Sequence, residues 1–557
     1  MADGDDLVFL PLGGVGEIGM NLALYGYGPR RTRRWLVVDM GVSFSTENLP
    51  GIDGIVPDIQ FLAERRDRVD GIVITHAHED HFGALFDLWP RVKAPVYMTP
   101  FAAGLLKAKQ AEEPGAPKIP VEVVDQGQRF TVGSFDLEFV PVAHSLPEPN
   151  MVAIRTPYGI VIHTGDWKLD PAPGVGRPTD ENRLAELGRE GVRALICDST
   201  NAVRDGVSPS EGEVAHSLER LILEAPHRVV VTSFSSNVAR MRAVAEAAKR
   251  AGRDVVVVGR AIRRAADVAR ELGYLDGLPD FLDQEAYGYL PRNKVLALMT
   301  GSQGEPRAAL ARIANKDHRA VSIAQGDRVI FSSRTIPGNE RAVNAIVNAL
   351  IDLGAEVITD RLALVHTSGH PRRDELRQLY DWTKPEIVIP VHGESLHLHE
   401  QARLARSLGI PKVVEVRNGD MTRLGPGDPE LAEKVPSGQL YRDGRLIVRS
   451  DSGGVADRRR LAFSGAVSVA IVLSEAGVVL EDPTAVLLGL PDQDAEGAPM
   501  LETVLDAVDE ALDSLPQPRR RDPGLVREAV RRAIRGTVNA TWGKKPATIV
   551  HVTHVAD

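Results

Sequence analysis

Residues 75–85 read THAHEDHFGAL, and His76, His78, Asp80 and His81 within that stretch all carry side chains that bind metal ions. They follow the apolar run GIVIT, where a buried strand gives way to a loop. Residues two apart in an extended segment point to one side, so His76 and His78 can grip a single ion. Asp80 and His81 come at the turn into a helix and can face a second. Neutral imidazoles with a carboxylate suit Zn²⁺ or Mn²⁺, whereas Ca²⁺ takes oxygen shells. A two-ion site needs further ligands, and strand ends downstream offer them. His144 closes FVPVAH, Asp166 closes IVIHTGD with two oxygens able to bridge, and His392 closes EIVIPVH. Two ions about 3.5–4 Å apart lower the pKa of a shared water towards roughly 7 and neutralise charge on a phosphoryl centre. The pattern predicts hydrolysis, with phosphodiesters and amides or lactones both open. The bland alternative is a set of unrelated polar strand ends, which leaves their clustering unexplained.

Elements that would position these residues are legible in the patterning. The first two hundred residues alternate short β-rich runs with loops (LVFLPLGG, RWLVVDMG, GIVITHAH, FDLEFVPVAHS, GIVIHTGDW, ALICDSTN), which predicts packed sheets with helices outside. From about residue 211 strands and helices alternate, beginning with a helix capped by Ser208 or Ser210, and the apolar strands predict a parallel, Rossmann-like sheet. ALVHTSGH and EIVIPVHGE then read as strands ending in histidine, a return to the first pattern that makes the second domain an insertion. Residues 436–461 read as a polar linker with short strands, and residues 462–557 as a small α+β domain.

Composition narrows the class. The chain has 557 residues, 43% hydrophobic, enough for several domains. Its single cysteine, Cys197, excludes a disulfide framework or a Cys-rich zinc site and fits a reducing interior. The opening MADGDDLVFLPLGG has neither a basic segment nor an apolar leader, and no window is long and apolar enough to span a bilayer, so the expected location is the cytoplasm. A net charge of −10 argues against coating nucleic acid by bulk attraction but leaves room for local basic contacts. RRTRR at 30–34, DRRR at 457–460 and the basic stretch 518–535 are either solvated faces or such contacts.

The later half points to phosphate. TSFSSN (232–237), FSSRTIPGN (331–339) and HTSGH (366–370) each read as a small-residue loop between a strand and a helix, and GSQGEP (301–306) joins them. Free N–H groups and the helix dipole make such loops anion sites, although each hydroxyl alone could be a simple cap. Arg334 adds a charged donor.

THAHEDH with His144, Asp166 and His392 resembles the metallo-β-lactamase superfamily, an αββα sandwich with a dinuclear site. CDST (197–200), SGHPRRDEL (368–376) and PVHGE (390–394) resemble motifs A, B and C of its β-CASP nuclease subgroup, and GSQGEP, SRTIPGNE and HTSGH look most like bacterial ribonuclease J. The resemblance implies an α/β protein: a sandwich of residues 1–210 and 365–435, an inserted Rossmann-like β-CASP domain at 211–364, a linker at 436–461 and an α+β C-terminal domain at 462–557. It implies one divalent ion, Zn²⁺ or Mn²⁺, on His76, His78, His144 and Asp166, and another on Asp80, His81, Asp166 and His392. A histidine at motif C goes with RNA rather than DNA. The implied activity is a 5′-to-3′ exoribonuclease preferring 5′-monophosphate ends, with additional internal cutting, in rRNA processing, RNA maturation and mRNA decay. Asp80, His370 and Asp198 would be its catalytic residues, His370 serving the leaving oxygen and Asp198 orienting. Ser233, Phe234, Ser235, His366, Thr367, Ser368, Gly369, His370 and Arg334 would hold single-stranded RNA. The resemblance also implies a homodimer or dimer of dimers through the C-terminal domain, possible membership of an RNA-degradation complex, and no membrane; the basic helix at 524–535 could instead touch RNA. His163, His397 and His399 read as structural. Two other classes stay in view: a hydrolase of small esters or thioesters, which needs no inserted domain, and a non-catalytic nucleic-acid scaffold, which would bind little metal.

Overall fold

Strands that alternate or run apolar must bury at least one face, and here two sheets bury theirs against each other. The computed structural model describes residues 4–44, 48–336 and 338–556. One sheet runs, in spatial order, Glu430–Lys434, Asp420–Gly425, Asp5–Gly13, Leu22–Pro29, Arg34–Val38, Val69–Val73, Val96–Met98 and Val121–Val123. The facing sheet runs Lys412–Val413, Ile387–Val391, Val192–Asp198, Gly159–His163, Asn150–Thr156, Phe135–Pro141 and Arg129–Val132. Phe9, Leu36, Val38 and Val73 of the first meet Phe139, Ile154, Val161, Ile196 and Ile389 of the second in one core. The second sheet's other face is covered by helices Glu181–Glu190, Arg373–Thr383 and Ser395–Ser407, which contribute Leu184, Leu187, Leu376, Leu379 and Leu404. This is the expected sandwich, with helices outside.

Val192–Asp198 and Ile387–Val391 are parallel neighbours, with Asp198 opposite Val391. The chain leaves the sandwich after the first of these and returns at the second. Between them an all-parallel sheet forms in the order Asp254–Val258, Val295–Met299, Val229–Thr232, Arg328–Phe331 and Glu356–Ile358, around its own core of Val230, Val256, Ala297 and Val329. Ser210 caps the helix Glu211–Leu223 that leads into it, in a reciprocal box with Glu213.

A second compact unit is built mostly from residues beyond Leu440. Its sheet (Val479–Leu488, Ala466–Ser474, Ala547–Val555) packs Val467, Val469, Ile471 and Leu473 under helices Met500–Ser514 and Pro523–Trp542. Among the described residues no helix is long and apolar enough to cross a membrane.

Two local expectations differ from what forms. Residues 363–368 are irregular, not a strand. The carbonyl of Val365 accepts from Arg240 Nη1 at 2.9 Å and Ser332 Oγ at 2.7 Å, and the Thr367 hydroxyl donates to Pro209 at 2.7 Å, so side chains replace a ladder. The stretch read as a linker contains strands Gln439–Asp443 and Leu446–Arg449 and also a helix, Gly453–Ser464. That helix buries only Val455 and Ser464 among its described residues, so it carries no apolar stripe to announce it.

Segments at the joint of sandwich and insertion are gathered by one buried carboxylate. Glu375 accepts from the N–H groups of Leu169 at 2.8 Å, Ser208 at 2.9 Å and Arg372 at 2.8 Å. Leaving a buried donor unpaired costs about 1–3 kcal/mol. Glu375→Ala is therefore expected to lower the thermal midpoint markedly and to open residues 204–210 to limited proteolysis. Glu375→Gln, which keeps one acceptor oxygen, should fall between that variant and the parent.

Candidate metal centre and substrate pocket

The expected ligands sit just past strand ends or, for Asp80 and His81, in the short helix Glu79–Phe82 that follows one, and the two sheets deliver them to one place. His76, His78, Asp80 and His81 follow Val69–Val73 of the first sheet; His144, Asp166 and His392 follow Phe135–Pro141, Gly159–His163 and Ile387–Val391 of the second. One ligand atom each from His76, His78, His144 and Asp166 lies within 4.8 Å of the others, and the same holds for Asp80, His81, Asp166 and His392.

Atom by atom, the two groups share Asp166 and divide its oxygens. In the first, His78 Nδ1 lies 3.2 Å from His76 Nε2 and 3.1 Å from His144 Nε2. Asp166 Oδ2 lies 3.7 and 3.6 Å from those two Nε2 atoms. In the second, Asp166 Oδ1 is 3.2 Å from His81 Nε2 and 3.4 Å from His392 Nε2, and Asp80 Oδ2 is 3.6 and 3.8 Å from the same pair. Ligands about 2.1 Å from a tetrahedral ion are separated by about 3.4 Å, the scale of these spacings. Among the described residues Asp166 Oδ1 is buried with no hydrogen-bond partner, which is costly unless a cation faces it. The donor set and this orphaned oxygen fit a divalent ion in each group.

Outer ring nitrogens of His76, His81, His144 and His392 meet oxygen atoms, which turns the inner nitrogens towards the centre. His81 Nδ1 lies 2.7 Å from Asp39 Oδ2 and His144 Nδ1 donates to the Gly369 carbonyl at 2.6 Å. His392 Nδ1 lies 3.0 Å from Asn21 Oδ1. Thr75 donates its hydroxyl to Asp39 at 2.9 Å and accepts from His76 Nδ1 at 2.9 Å. Burial drives His76 and His144 well below the usual histidine range and His78 to about 4, so these rings are neutral. Burial acts the same way on His81, but Asp166 and Asp80 push it well above that range. Asp166 is held well below the usual carboxylate range: burial opposes its charge, and His392 and His81 overcome that.

His370 and Asp198 border this centre. Asp198 is fully buried and its Oδ2 lies 2.8 Å from His370 Nδ1, while its Oδ1 accepts from Thr200 N at 2.8 Å. Burial opposes a charge on His370, yet Asp198 and Asp166 carry its pKa up to about 9. His163 is tied to Tyr25 Oη at 2.9 Å, His397 caps the helix Ser395–Ser407 and His399 pairs with Glu415, in keeping with structural roles.

Among the small-residue loops, TSFSSN, GSQGEP and FSSRTIPGN leave the same edge of three adjacent parallel strands, since Thr232 lies opposite both Met299 and Phe331; Pro337 is outside the described residues. Ser233 is buried, the Phe234 ring lies 6.5 Å from the His366 ring, and Ser235 is partly buried. His366 Nδ1 is buried without a hydrogen-bond partner among the described residues, and its pKa is driven far down by burial and by Arg240 and Arg334. Arg334 is exposed, its carbonyl held by Gln303 at 2.8 Å. Ser368 Oγ accepts from Asn201 at 2.8 Å, and Thr367 is occupied with Pro209. Each basic cluster is paired in part: Arg30 with Glu433, Arg33 with Asp6, Arg34 with Asp70, Arg458 with Asp443, and Arg531 and Arg532 with Glu528.

Sequence reading missed Asp39, Thr75 and Asn21. The run RWLVVDMG ends on Asp39 as other runs end on ligands, and that was its one signal; its φ of 66° marks the turn that aims it.

Comparison with known proteins agrees with this layout. Residues 30–260 match the family model described as the metallo-beta-lactamase superfamily, residues 226–350 that of the ribonuclease J beta-CASP domain, residues 354–415 that of a Zn-dependent metallo-hydrolase RNA specificity domain, and residues 453–555 that of the ribonuclease J C-terminal domain. A ribonuclease J of Sinorhizobium meliloti is 53% identical over 555 residues, covering 100% of this chain and 98% of that protein. One from Mycolicibacterium smegmatis is 39% identical over 98% of this chain and 96% of its own length, and one from Thermus thermophilus 39% over 85% and 84%. Among solved structures, a protein of unknown function from Enterococcus faecalis superposes with a TM-score of 0.53 at 15% identity, over 75% of this chain and all of that one, which is a likeness of fold.

Gly369 joins the loop to the metal centre and has no room for a side chain: a Cβ there would meet His144 Cε1 and Nδ1 at 2.4 Å. Gly369→Ala is expected to turn His144 out of place and lower divalent-metal uptake by the purified chain. Element analysis after dialysis checks this, with circular dichroism unchanged.

Proposed function

The chain belongs to the ribonuclease J family, and on that premise we propose that it is a 5′-to-3′ exoribonuclease that prefers 5′-monophosphate ends and also cuts internally. Membership makes it a metal-dependent ribonuclease, a phosphodiester hydrolase of the metallo-β-lactamase fold with a β-CASP insertion. The finer reading assigns one ion to His76, His78, His144 and Asp166 and another to Asp80, His81, Asp166 and His392, each Zn²⁺ or Mn²⁺. Such a pair of ions supplies a water acidified towards pKa roughly 7 and positive charge beside the scissile phosphate.

The remaining roles fall to the chain's own residues. His370, steadied by Asp198 at 2.8 Å, donates a proton to the leaving 3′ oxygen. Asp80, a ligand with a partly exposed side chain, borders the entry to the site. Ser233, Phe234, Ser235, Arg334 and His366 receive the terminal nucleotide and its 5′ phosphate, with Ser368 and Gly369 lining the path to the centre; Thr367 holds that loop in place. The observation that carries the exonuclease reading is the loop 366–370. It has the unpartnered, buried Nδ1 of His366 at one end and His370 at the other, and Gly369 in between is bonded to His144. A chain end seated at the first would present its neighbouring linkage to the second.

We assign the protein to the cytoplasm, in RNA maturation, rRNA processing and mRNA decay, as a homodimer or dimer of dimers through the C-terminal domain. The single cysteine of the sequence, which leaves no disulfide framework to form, supports a reducing compartment. Self-association is supported by the outer face of the C-terminal sheet, where Val486, Leu488, Ile549 and Val555 are 44–64% exposed.

The test is cleavage of 3′- and 5′-labelled single-stranded RNA carrying a 5′-monophosphate or triphosphate, with Mn²⁺, matched DNA and His76→Ala as control. Mononucleotides released from the monophosphorylated end, and lost in the control, are expected. Intact RNA of every type, with DNA or a small ester consumed, would remove the RNA reading. His370→Ala should lower kcat by about 10²–10⁴-fold with bound metal unchanged.

A further inference from the structure

Asn21 belongs to none of the motifs, yet it touches both histidines of the second ligand group. It is 8% exposed, and its backbone is tied to the same region: its N–H donates to the Asp80 carbonyl at 2.9 Å and its carbonyl accepts from Gly41 N at 2.9 Å. Its side-chain Nδ2 donates to the Asp80 carbonyl at 3.0 Å and also lies 3.1 Å from His81 Nε2. Its Oδ1 lies 3.0 Å from His392 Nδ1.

The orientation of an amide has to follow from its partners. A carbonyl oxygen can only accept, so the edge of Asn21 facing Asp80 must be the NH₂ edge. Its oxygen then faces His392, and an oxygen facing Nδ1 requires the proton to be on Nδ1. The Nε2 lone pair of His392 is thereby left pointing at Asp166 and Asp80. With the amide reversed, two oxygens would meet at Asp80, and the His392 proton would be driven to Nε2, where a ligand needs a lone pair. Gly14 keeps the space open, since a Cβ there would stand 2.1 Å from Asn21 Oδ1; its carbonyl also accepts His392 N at 2.8 Å.

We propose that Asn21 is a positioning residue of the second ion. By reading the Asp80 carbonyl with one edge and His392 with the other, it sets the tautomer of His392 and locks that ligand, on the second sheet, to the Asp80–His81 turn on the first. The first group has other orienting partners, Thr75 and the Gly369 carbonyl, so the effect is confined to one of the two ions. This rests on the two-ion reading above.

The full-length chain, stripped by chelation, is titrated with Zn²⁺ against a competing chromophoric chelator, beside Asn21→Leu, Asn21→Asp and His392→Ala. The unsubstituted chain should show two binding steps, and His392→Ala should lose the step that belongs to its own group. Asn21→Leu should weaken that same step by about 10–100-fold and leave the other unchanged. Asn21→Asp keeps an oxygen towards His392 but sets a second oxygen against the Asp80 carbonyl, so it should weaken that step less than Asn21→Leu does and leave the other unchanged, which separates tautomer control from a packing lesion. Two unaltered steps in Asn21→Leu, or equal weakening of both, would overturn the inference alone. Loss of a step in Asn21→Asp equal to that in Asn21→Leu would overturn it too. A single step in the unsubstituted chain would overturn the two-ion reading with it.

Discussion

One buried carboxylate sets the terms for the rest of the molecule. Asp166 turns one oxygen to His76 and His144 and the other to His81 and His392, in a space that burial has stripped of water. Removing ionisable groups from water is expensive unless each is paired, so the arrangement demands cations at its centre and hydrogen-bond acceptors at its rim. Asp39, Thr75, Asn21 and the Gly369 carbonyl meet the second demand, each taking the outer nitrogen of a ring. Of these, Asn21 also reaches inward, its Nδ2 lying 3.1 Å from His81 Nε2. Together they make the geometry of the centre a property of the surrounding backbone, because they come from strand ends and loops that the sandwich core holds rigid.

The inserted domain follows from the same constraint. Asp198 and His392 stand at the ends of neighbouring parallel strands, so the chain that leaves after one must come back beside the metal centre to begin the other. Its returning segment carries His366 and His370, and Glu375 pins the start of the next helix to Leu169, just past Asp166, and to Ser208, on the way out. Ser208 and Asn201 also donate to the His370 carbonyl, at 3.0 and 3.2 Å. The loop 366–370 and both candidate ligand groups are therefore one hydrogen-bonded body. Under the proposed exonuclease reading, that coupling would turn recognition of a chain end into placement of the bond to be cut.

What the sequence disclosed and what it concealed divide along a physical line. The clustering of His76 to His81 is legible because four candidate ligands fall within one strand-to-helix turn, and that of His144, Asp166 and His392 because each ends an apolar run. Asn21 and Asp39 are common residue types whose meaning lies in contacts with positions remote along the chain, up to 371 residues away for Asn21 and His392, and no local pattern records that. ALVHTSGH has the composition of a strand but not the partners: Arg240 and Ser332 satisfy its backbone, and the segment stays irregular. The helix Gly453–Ser464 escaped for the opposite reason, since it forms with hardly any buried face.

Charge completes the reasoning about how such a chain meets RNA. The sequence is net negative by 10, and several arginines of the runs that might have formed a track pair with neighbouring carboxylates, mostly at the surface, where each pair contributes little to stability. Neutralised arginines release few counterions from a nucleic acid, so they supply little non-specific affinity. Specificity for the proposed substrate has to come from a few contacts made at short range. The unpaired nitrogen of His366, the exposed guanidinium of Arg334 and the ring of Phe234 lie at or beside the loops where that contact would occur. On the proposed reading, a terminal phosphate, which carries more charge than an internal one and has no preceding nucleotide to accommodate, would be the part of an RNA that so small a set of contacts distinguishes.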